Sequence, residues 1–485
     1  MNTETAKFSF TPRHQAYVAL LAWAIVALLL MRNDVYGLDE VGARALLLSW
    51  SIADQVANSS FYFGMPDLRI LLFLPVGFLA PGKVFAAKVL TAAVLAVTAR
   101  LLYLWRSTSA GGVGALLATG LLLASPLALG QIDSVGGGAY LLAALVVGAW
   151  LDGRYRANPR PFNGWFFALL FASAFSTSLH PAGLALPLAL LWSWRTLPQS
   201  EKYKRFFVAG VIFVTALLLV MRMGWGDLTW LHNPIFALSS AFTGTAVTED
   251  FSWSAQWLPG GALMVIVLVV AAVRGRSAWS DLLGRSMLIA LALGVFVGDQ
   301  AWALLALAFA LYFGIPALAP GLQKGTEGSA PRQGALLAVA FACTTLFMLA
   351  DKAHYADVRR GTLTAQDQLI RTLAGAAADE RKAEDDRRAS HFVVASEWPG
   401  RTMIACKCDT MPLPPVVPNK PDAQLATLRG IDYLLFDPKR TANIELARNF
   451  ALLGGTVETV SLQSGGVILH VKQPEAAAAD GKKAP

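Results

Sequence analysis

Charge is scarce in this sequence. Only 15% of its 485 residues are Asp, Glu, Lys or Arg, where a soluble domain carries about 25%. With 55% hydrophobic residues, a soluble globular enzyme and a disordered chain are both excluded. Cysteine is nearly absent, at three, which excludes a disulfide scaffold. Cys343 lies in an apolar run, and Cys406 and Cys408 flank a single lysine. A disulfide between residues two apart is expected to be strained, and no Cys/His spacing nearby suits zinc. The cysteines are therefore expected to carry no function. Phosphate-loop (GxxxxGK[ST]), HExxH and GxSxG signatures are also missing. Gly112-Val113-Gly114 opens an apolar helix without a preceding strand, so it reads as helix packing and not as a dinucleotide turn.

What the chain has instead is a series of long apolar runs. Residues 17–31 and 111–131 approach the roughly 20 residues that cross a bilayer as helix. The first is read as a retained helix, since no small-residue cleavage site follows it. Residues 40–58 read as an amphipathic helix on the membrane surface. The run 68–80 is short and holds Pro75, which suits a re-entrant or interfacial segment. Further spans are expected at 84–105, 112–130, 135–151, 162–179, 182–194, 206–221, 261–273, 287–297, 301–315 and 334–349. With the N-terminus cytoplasmic and 68–80 not crossing, Arg106, Arg154/Arg156/Arg160, Arg195/Lys202/Lys204/Arg205, Arg274/Arg276/Arg285 and Lys324/Arg332 all fall on one side. That is the alternation the positive-inside rule requires. The net charge of +8 therefore orients the chain in a bilayer and does not point to nucleic acid.

The expected fold is an all-α polytopic membrane protein of about eleven transmembrane helices plus juxtamembrane helices, ending in a small extracytoplasmic α/β domain. The membrane domain covers 1–353 and a connecting helix 354–390. The α/β domain covers 391–473 and a disordered tail 474–485. Strands are expected at 391–395 and 431–436, a helix at 441–453, a hairpin across Gln463-Ser464-Gly465, and a loop at 412–421.

Polar residues gather on the side opposite the basic loops. Asp39 and Glu40 open the surface helix; capping is the plainer reading, because Asp is a good N-cap and acids favour a helix's positive end. Asp133 falls in a tight turn between two apolar helices, where it would cap the helix starting at Val135 or face a pocket with Asp39. His180, in Leu179-His180-Pro181-Ala182-Gly183, is either a turn residue bonded to backbone or a headgroup contact. Arg69 and Lys88 would snorkel to headgroups or meet a phosphate. The loop 224–260 carries Asp227, His232 and four tryptophans, which suits an interfacial belt or sugar binding.

Taken in order, these landmarks resemble the type C membrane glycosyltransferases, in the branch of protein O-mannosyltransferases and lipid A aminoarabinose transferases. The resemblance rests on Leu38-Asp39-Glu40 after the first span, Met65-Pro66 before the short segment, Leu104-Trp105-Arg106, Ile132-Asp133 and His180-Pro181-Ala182-Gly183. The Arg-Tyr-Ala that follows the family's acidic pair is replaced here, and no Lys-Gly follows Thr177. The resemblance implies an inverting transfer of sugar from a polyprenyl-phosphate donor to an extracytoplasmic acceptor. Asp39 would be the general base, with Glu40 as its alternative, and Asp133 would position base or acceptor. His180, Arg44, Arg69, Lys88, Asp227 and His232 would bind substrate. No fixed cofactor is implied, and a divalent cation is left open. A transporter or a non-catalytic assembly subunit of the cell envelope are the rival classes.

Overall fold

The computed structural model describes residues 12–53, 67–110, 112–157, 163–196, 201–224, 260–294, 300–314, 363–383, 393–417, 420–438, 443–453, 457–463 and 466–472. The expected span at 334–349, the 224–260 loop apart from its ends, and the tail lie outside them. The chain forms two compact units. Unit 1 comprises Met1–Met31, Met65–Val76 and Phe85–Ala356; unit 2 comprises Arg32–Gly64, Gly77–Val84 and Asp357–Pro485.

Unit 1 is helical. In order come α1 (Pro12–Leu30), α3 (Arg69–Leu79, shared with unit 2), α4 (Val84–Ala110), α5 (Gly112–Leu123), α6 (Pro126–Ser134), α7 (Gly137–Ala157) and α8 (Gly164–Leu179). A 3-10 turn (Pro181–Leu184) leads into α9 (Ala185–Ser193), followed by α10 (Glu201–Gly224), α11 (Gly260–Ala278), α12 (Leu282–Gly294) and α13 (Gln300–Phe309). Among the described residues, α4 and α10 are long and apolar enough to cross a membrane, and α5 with α6 makes a third candidate, bent by 46°. The span expected over 112–130 is thus made of two helices that meet at a break. Ser125, two residues past the end of α5, caps α6, its Oγ accepting the Ala128 N–H at 3.1 Å, and Pro126 occupies the first helical position, where its missing N–H costs nothing.

One correction concerns Asp133. It does not cap a helix starting at Val135; it lies in the last turn of α6, and α7 begins at Gly137. Val135 closes α6 in the left-handed region, at φ 55°. For a β-branched residue that conformation costs on the order of 1–3 kcal/mol.

Unit 2 joins α2 (Glu40–Ala53) to the C-terminal segment. The latter holds α14 (Ala365–Ala383), β1 (Val393–Ser396), α15 (Pro399–Cys406), β2 (Asp409–Pro412), α16 (Pro421–Ala426), β3 (Tyr433–Phe436), α17 (Ile444–Leu452), β4 (Val457–Gln463) and β5 (Gly466–Val471). The sheet order is β2-β1-β3-β5-β4. The first three strands are parallel; β5 runs antiparallel to β3, and β4 to β5. Strand alternation builds two cores. Val394, Tyr433, Leu435 and Ile468 face Leu369 and Leu373 of α14, while Ala395, Leu434, Phe436 and Leu469 face Leu446 and Phe450 of α17.

The hairpin, β1, β3 and α17 match expectation. The helix α15 and strand β2 were not expected, nor was the disulfide that joins Cys406 to Cys408. Lys407 adopts φ 55° at the end of α15. That left-handed residue turns the chain sharply enough to bring the flanking Cα atoms to 5.2 Å, within the range a disulfide spans.

Candidate functional site

In unit 1 three elements bring charged residues to one locus. Lys88, in the second turn of α4, donates to Asp133 Oδ1 at 2.7 Å; the lysine is fully buried and the aspartate side chain is 14% exposed. Two residues on, the Val135 carbonyl accepts Arg69 Nη1 at 3.0 Å. Arg69 is itself 1% exposed and ion-paired to Asp67 at 2.7 Å. Its guanidinium lies 5.9 Å from the centroid of the Tyr140 ring, whose hydroxyl bonds to Thr91 Oγ1 at 2.8 Å. Two ion pairs are thus buried beside each other around the strained end of α6. Desolvation makes buried charge costly, and ionisable groups in membrane helices mark functional sites by default.

His180 connects to the same region through the chain. It ends α8 and caps the following 3-10 turn, its Nδ1 accepting the Ala182 N–H at 3.0 Å. With Nδ1 an acceptor, the proton of the neutral ring sits on Nε2, which makes that nitrogen a donor. The turn is tightly packed: a Cβ on Gly183 would lie 1.7 Å from the Ser176 carbonyl oxygen. Two residues before His180, Ser178 Oγ accepts the Leu68 N–H at 3.2 Å, tying the end of α8 to the start of α3. Lys88, Asp133 and Arg69 therefore share one locus, and His180 closes the helix that is tied to it.

In unit 2, Asp39 caps α2, its Oδ2 accepting the Gly42 N–H at 3.1 Å. The capping reading of this residue is correct as far as it goes, and a cap can still be a base. Glu40 is differently engaged. Its Oε1 accepts from Arg44 Nε at 2.7 Å and from the Gly400 N–H at 2.8 Å, and its Oε2 accepts the Arg401 N–H at 3.1 Å. Glu40 thereby caps α15, whose own N-cap, Trp398, supplies no side-chain bond. Burial raises the Glu40 carboxyl above its ordinary range, against the lowering effects of Arg44 and the two amides. Arg44 is held in that arrangement. Behind it, Asp367 pairs with Arg401 at 2.8 Å and accepts the Gly37 N–H at 3.2 Å.

Asp227 and His232 lie outside the described residues. Asp67, Asp367 and Arg401 were not singled out in the sequence. Asp67 stands two residues before Arg69, and that proximity of opposite charges in an apolar setting was the available signal. Asp367 and Arg401 had none, since 34 residues separate them. Among the described residues no three His, Cys, Asp or Glu side chains are placed to hold a metal ion.

No family model and no curated protein matches the sequence. Solved structures do match the fold. ArnT from Cupriavidus metallidurans, bound to undecaprenyl phosphate, aligns with a TM-score of 0.50 at 13% identity, over 94% of this chain and 97% of that one. The archaeal oligosaccharyltransferase AglB from Archaeoglobus fulgidus, in complex with an inhibitory peptide and a dolichol-phosphate, aligns with a TM-score of 0.52 at 11% identity, over 88% and 69%. The Archaeoglobus fulgidus enzyme tethered to an acceptor peptide gives 0.53 at 11% identity, over 95% and 74%. From its first helix to its C-terminal sheet, the chain has the fold of the type C membrane glycosyltransferases.

Proposed function

We propose that this protein transfers a sugar from a polyprenyl-phosphate donor to an acceptor on the extracytoplasmic side of the membrane. The observation that carries the reading is the end-to-end likeness to ArnT, whose solved structure holds undecaprenyl phosphate. The reading includes about eleven spans, a cytoplasmic N-terminus in the inner membrane and an extracytoplasmic C-terminal unit, which the sidedness of the basic loops supports.

Asp39 is the general base. It takes the proton of an acceptor hydroxyl or amine as that group attacks the anomeric carbon with inversion. The bond from carbon to phosphate oxygen breaks, and the polyprenyl phosphate departs with the electron pair. Glu40 is the weaker candidate for this role, because both its oxygens hold backbone amides. Lys88 and Arg69 supply the positive charge that a phosphate requires, and Asp133 holds Lys88 in place until the donor arrives. His180 Nε2 offers a hydrogen bond to the leaving phosphate. Arg44, Asp227 and His232 are assigned to substrate binding on the sequence pattern alone.

The test compares Asp39→Asn with Asp39→Ala. Asn caps a helix as well as Asp does, so the asparagine variant keeps α2 intact and removes only the base. Mass spectrometry of lipid extracts from a deletion strain carrying each variant is expected to show a polyprenyl-phosphate sugar accumulating with both. An Asp39→Asn variant that restores wild-type lipids would reduce Asp39 to a cap and leave the chain as an assembly subunit or transporter.

A further inference from the structure

Asp39 sits in a short arch of chain whose two ends are held by one residue, Arg401, in the first turn of α15. The main-chain N–H of Arg401 donates to Glu40 Oε2 at 3.1 Å, and its guanidinium donates through Nη2 to Asp367 Oδ1 at 2.8 Å. The other oxygen of Asp367, Oδ2, accepts the Gly37 N–H at 3.2 Å and the Thr364 hydroxyl at 2.9 Å. Gly37 and Glu40 bracket Leu38 and Asp39. Both are tied to Arg401, one through Asp367 and the other directly.

The arch itself has little freedom. Leu38 is buried, and Tyr36 packs against the core that holds Leu369 and Leu373. Gly37 turns the chain at φ 77°, a left-handed value that glycine adopts without strain. Asp39 stays partly exposed, so an acceptor can reach the carboxylate while the backbone on either side of it is fixed.

Stability alone does not account for the pair. Asp367 and Arg401 are 2% and 3% exposed, and Gln366 Oε1 accepts Arg401 Nη1 at 3.1 Å. A buried ion pair must first offset the desolvation of two charges, and apolar residues of similar volume often serve a core as well or better. Apolar residues would offer nothing to the Gly37 amide. What the charged pair adds is an oxygen held rigidly against the chain two residues before Asp39.

We infer that Asp367 and Arg401 are positioning residues for the transfer, and that together they set where the Asp39 carboxylate stands relative to the acceptor. The inference rests on the reading of Asp39 as the base. Misplacing a reacting group by about 1 Å costs on the order of 100-fold in rate.

The experiment adds the full-length protein, purified in detergent, to membranes of the deletion strain, which hold the endogenous donor and acceptor. Mass spectrometry follows the loss of polyprenyl-phosphate sugar at several membrane dilutions, which gives kcat and an apparent KM. Two double variants are compared, both uncharged at these positions. Asp367→Leu with Arg401→Met fills the space with apolar atoms and leaves the Gly37 N–H without its acceptor. Asp367→Asn with Arg401→Gln keeps one, because the Asn carbonyl oxygen faces Gly37 while its amide donates to the Gln side chain. Both retain the main-chain N–H that Glu40 accepts. The apolar pair is expected to lower kcat at least about tenfold with KM unchanged, while the amide pair keeps at least about a third of the wild-type kcat. Gly37→Ala disturbs the arch without touching the pair, by forcing a Cβ into the left-handed region, and should lower kcat in the same way whether or not the double variants fold.

Equal kcat in the two folded double variants, a loss carried by KM, or wild-type turnover by Gly37→Ala would overturn the inference. Asp39→Asn, run alongside, separates the two failures. If it turns over like wild type, or if wild type consumes no lipid-linked sugar, the functional reading falls and this inference falls with it. If Asp39→Asn is inactive while the apolar pair and Gly37→Ala match wild type, only the positioning role falls.

Discussion

Replacing Glu40 with alanine tests whether this residue joins two stretches of chain or takes part in chemistry. The carboxylate accepts two backbone amides at the start of α15. Hydrogen bonds to a charged group contribute about 1.5–3 kcal/mol each, whereas whole N-cap substitutions cost about 0.5–2 kcal/mol. The ion pair to Arg44, whose side chain is one-third exposed, adds at most about 0.5 kcal/mol. Against these stands the desolvation that raises the Glu40 pKa, which the alanine variant no longer bears. The net loss is about 2–3 kcal/mol, local to unit 2. Hydrogen exchange in detergent reads it directly: the Gly400 and Arg401 amides should exchange roughly 30- to 150-fold faster in Glu40→Ala. Gly400→Ala attacks the same joint from the other side, because its Cβ would meet Arg44 Cγ at 2.9 Å and Glu40 Oε1 at 3.1 Å. It should cost about 1–3 kcal/mol, and the double variant less than the sum. Unchanged amide protection in Glu40→Ala would refute the joint.

Four further outcomes are expected. Asp39→Ala should lose about 1 kcal/mol in denaturant unfolding through the missing cap while Asp39→Asn loses a few tenths at most, and equal losses would contradict the capping geometry. Arg69→Met leaves Asp67 buried without its ion-pair partner, so thermal unfolding should report a loss of about 3–5 kcal/mol. Gly183→Ala forces the His180 turn apart and should reduce folded yield in detergent by fluorescence-detected size exclusion, with a cost of at least about 2 kcal/mol. The raised Glu40 pKa means that the folded state holds this proton more tightly than the unfolded one. Its contribution to stability is therefore fully present below pH 4.5 and falls as pH rises through the higher folded value. Stability profiles from pH 4 to 7 should be flatter for Glu40→Gln than for wild type.

Much of the fold was legible because apolar length and period are local properties. The hairpin at Gln463–Gly466 and the buried strand Tyr433–Phe436 stand out by alternation and turn chemistry alone. The bend after Ser125 had a local signal too, Ser-Pro inside an apolar run, but uniform hydrophobicity across it favoured one span. The strand Asp409–Pro412 was hidden, because an edge position tolerates the proline that argues against strand elsewhere. At the site, Asp39 as a cap follows from its place before the helix. That Glu40 caps a helix beginning 359 residues later is a tertiary fact with no local trace, and so is the pairing of Lys88 with Asp133. Charged residues in apolar surroundings announce that a partner exists; they do not say which one.

The hydrogen bond from Gly400 to Glu40 closes over 360 residues, and that separation has a consequence for biogenesis. At synthesis rates of about 5–20 residues per second, α2 waits roughly 20–70 s for α15 to emerge. Through that interval the Glu40 carboxylate has neither the Gly400 nor the Arg401 amide to accept. Assembly of unit 2 is therefore completed only when most of the chain has been made.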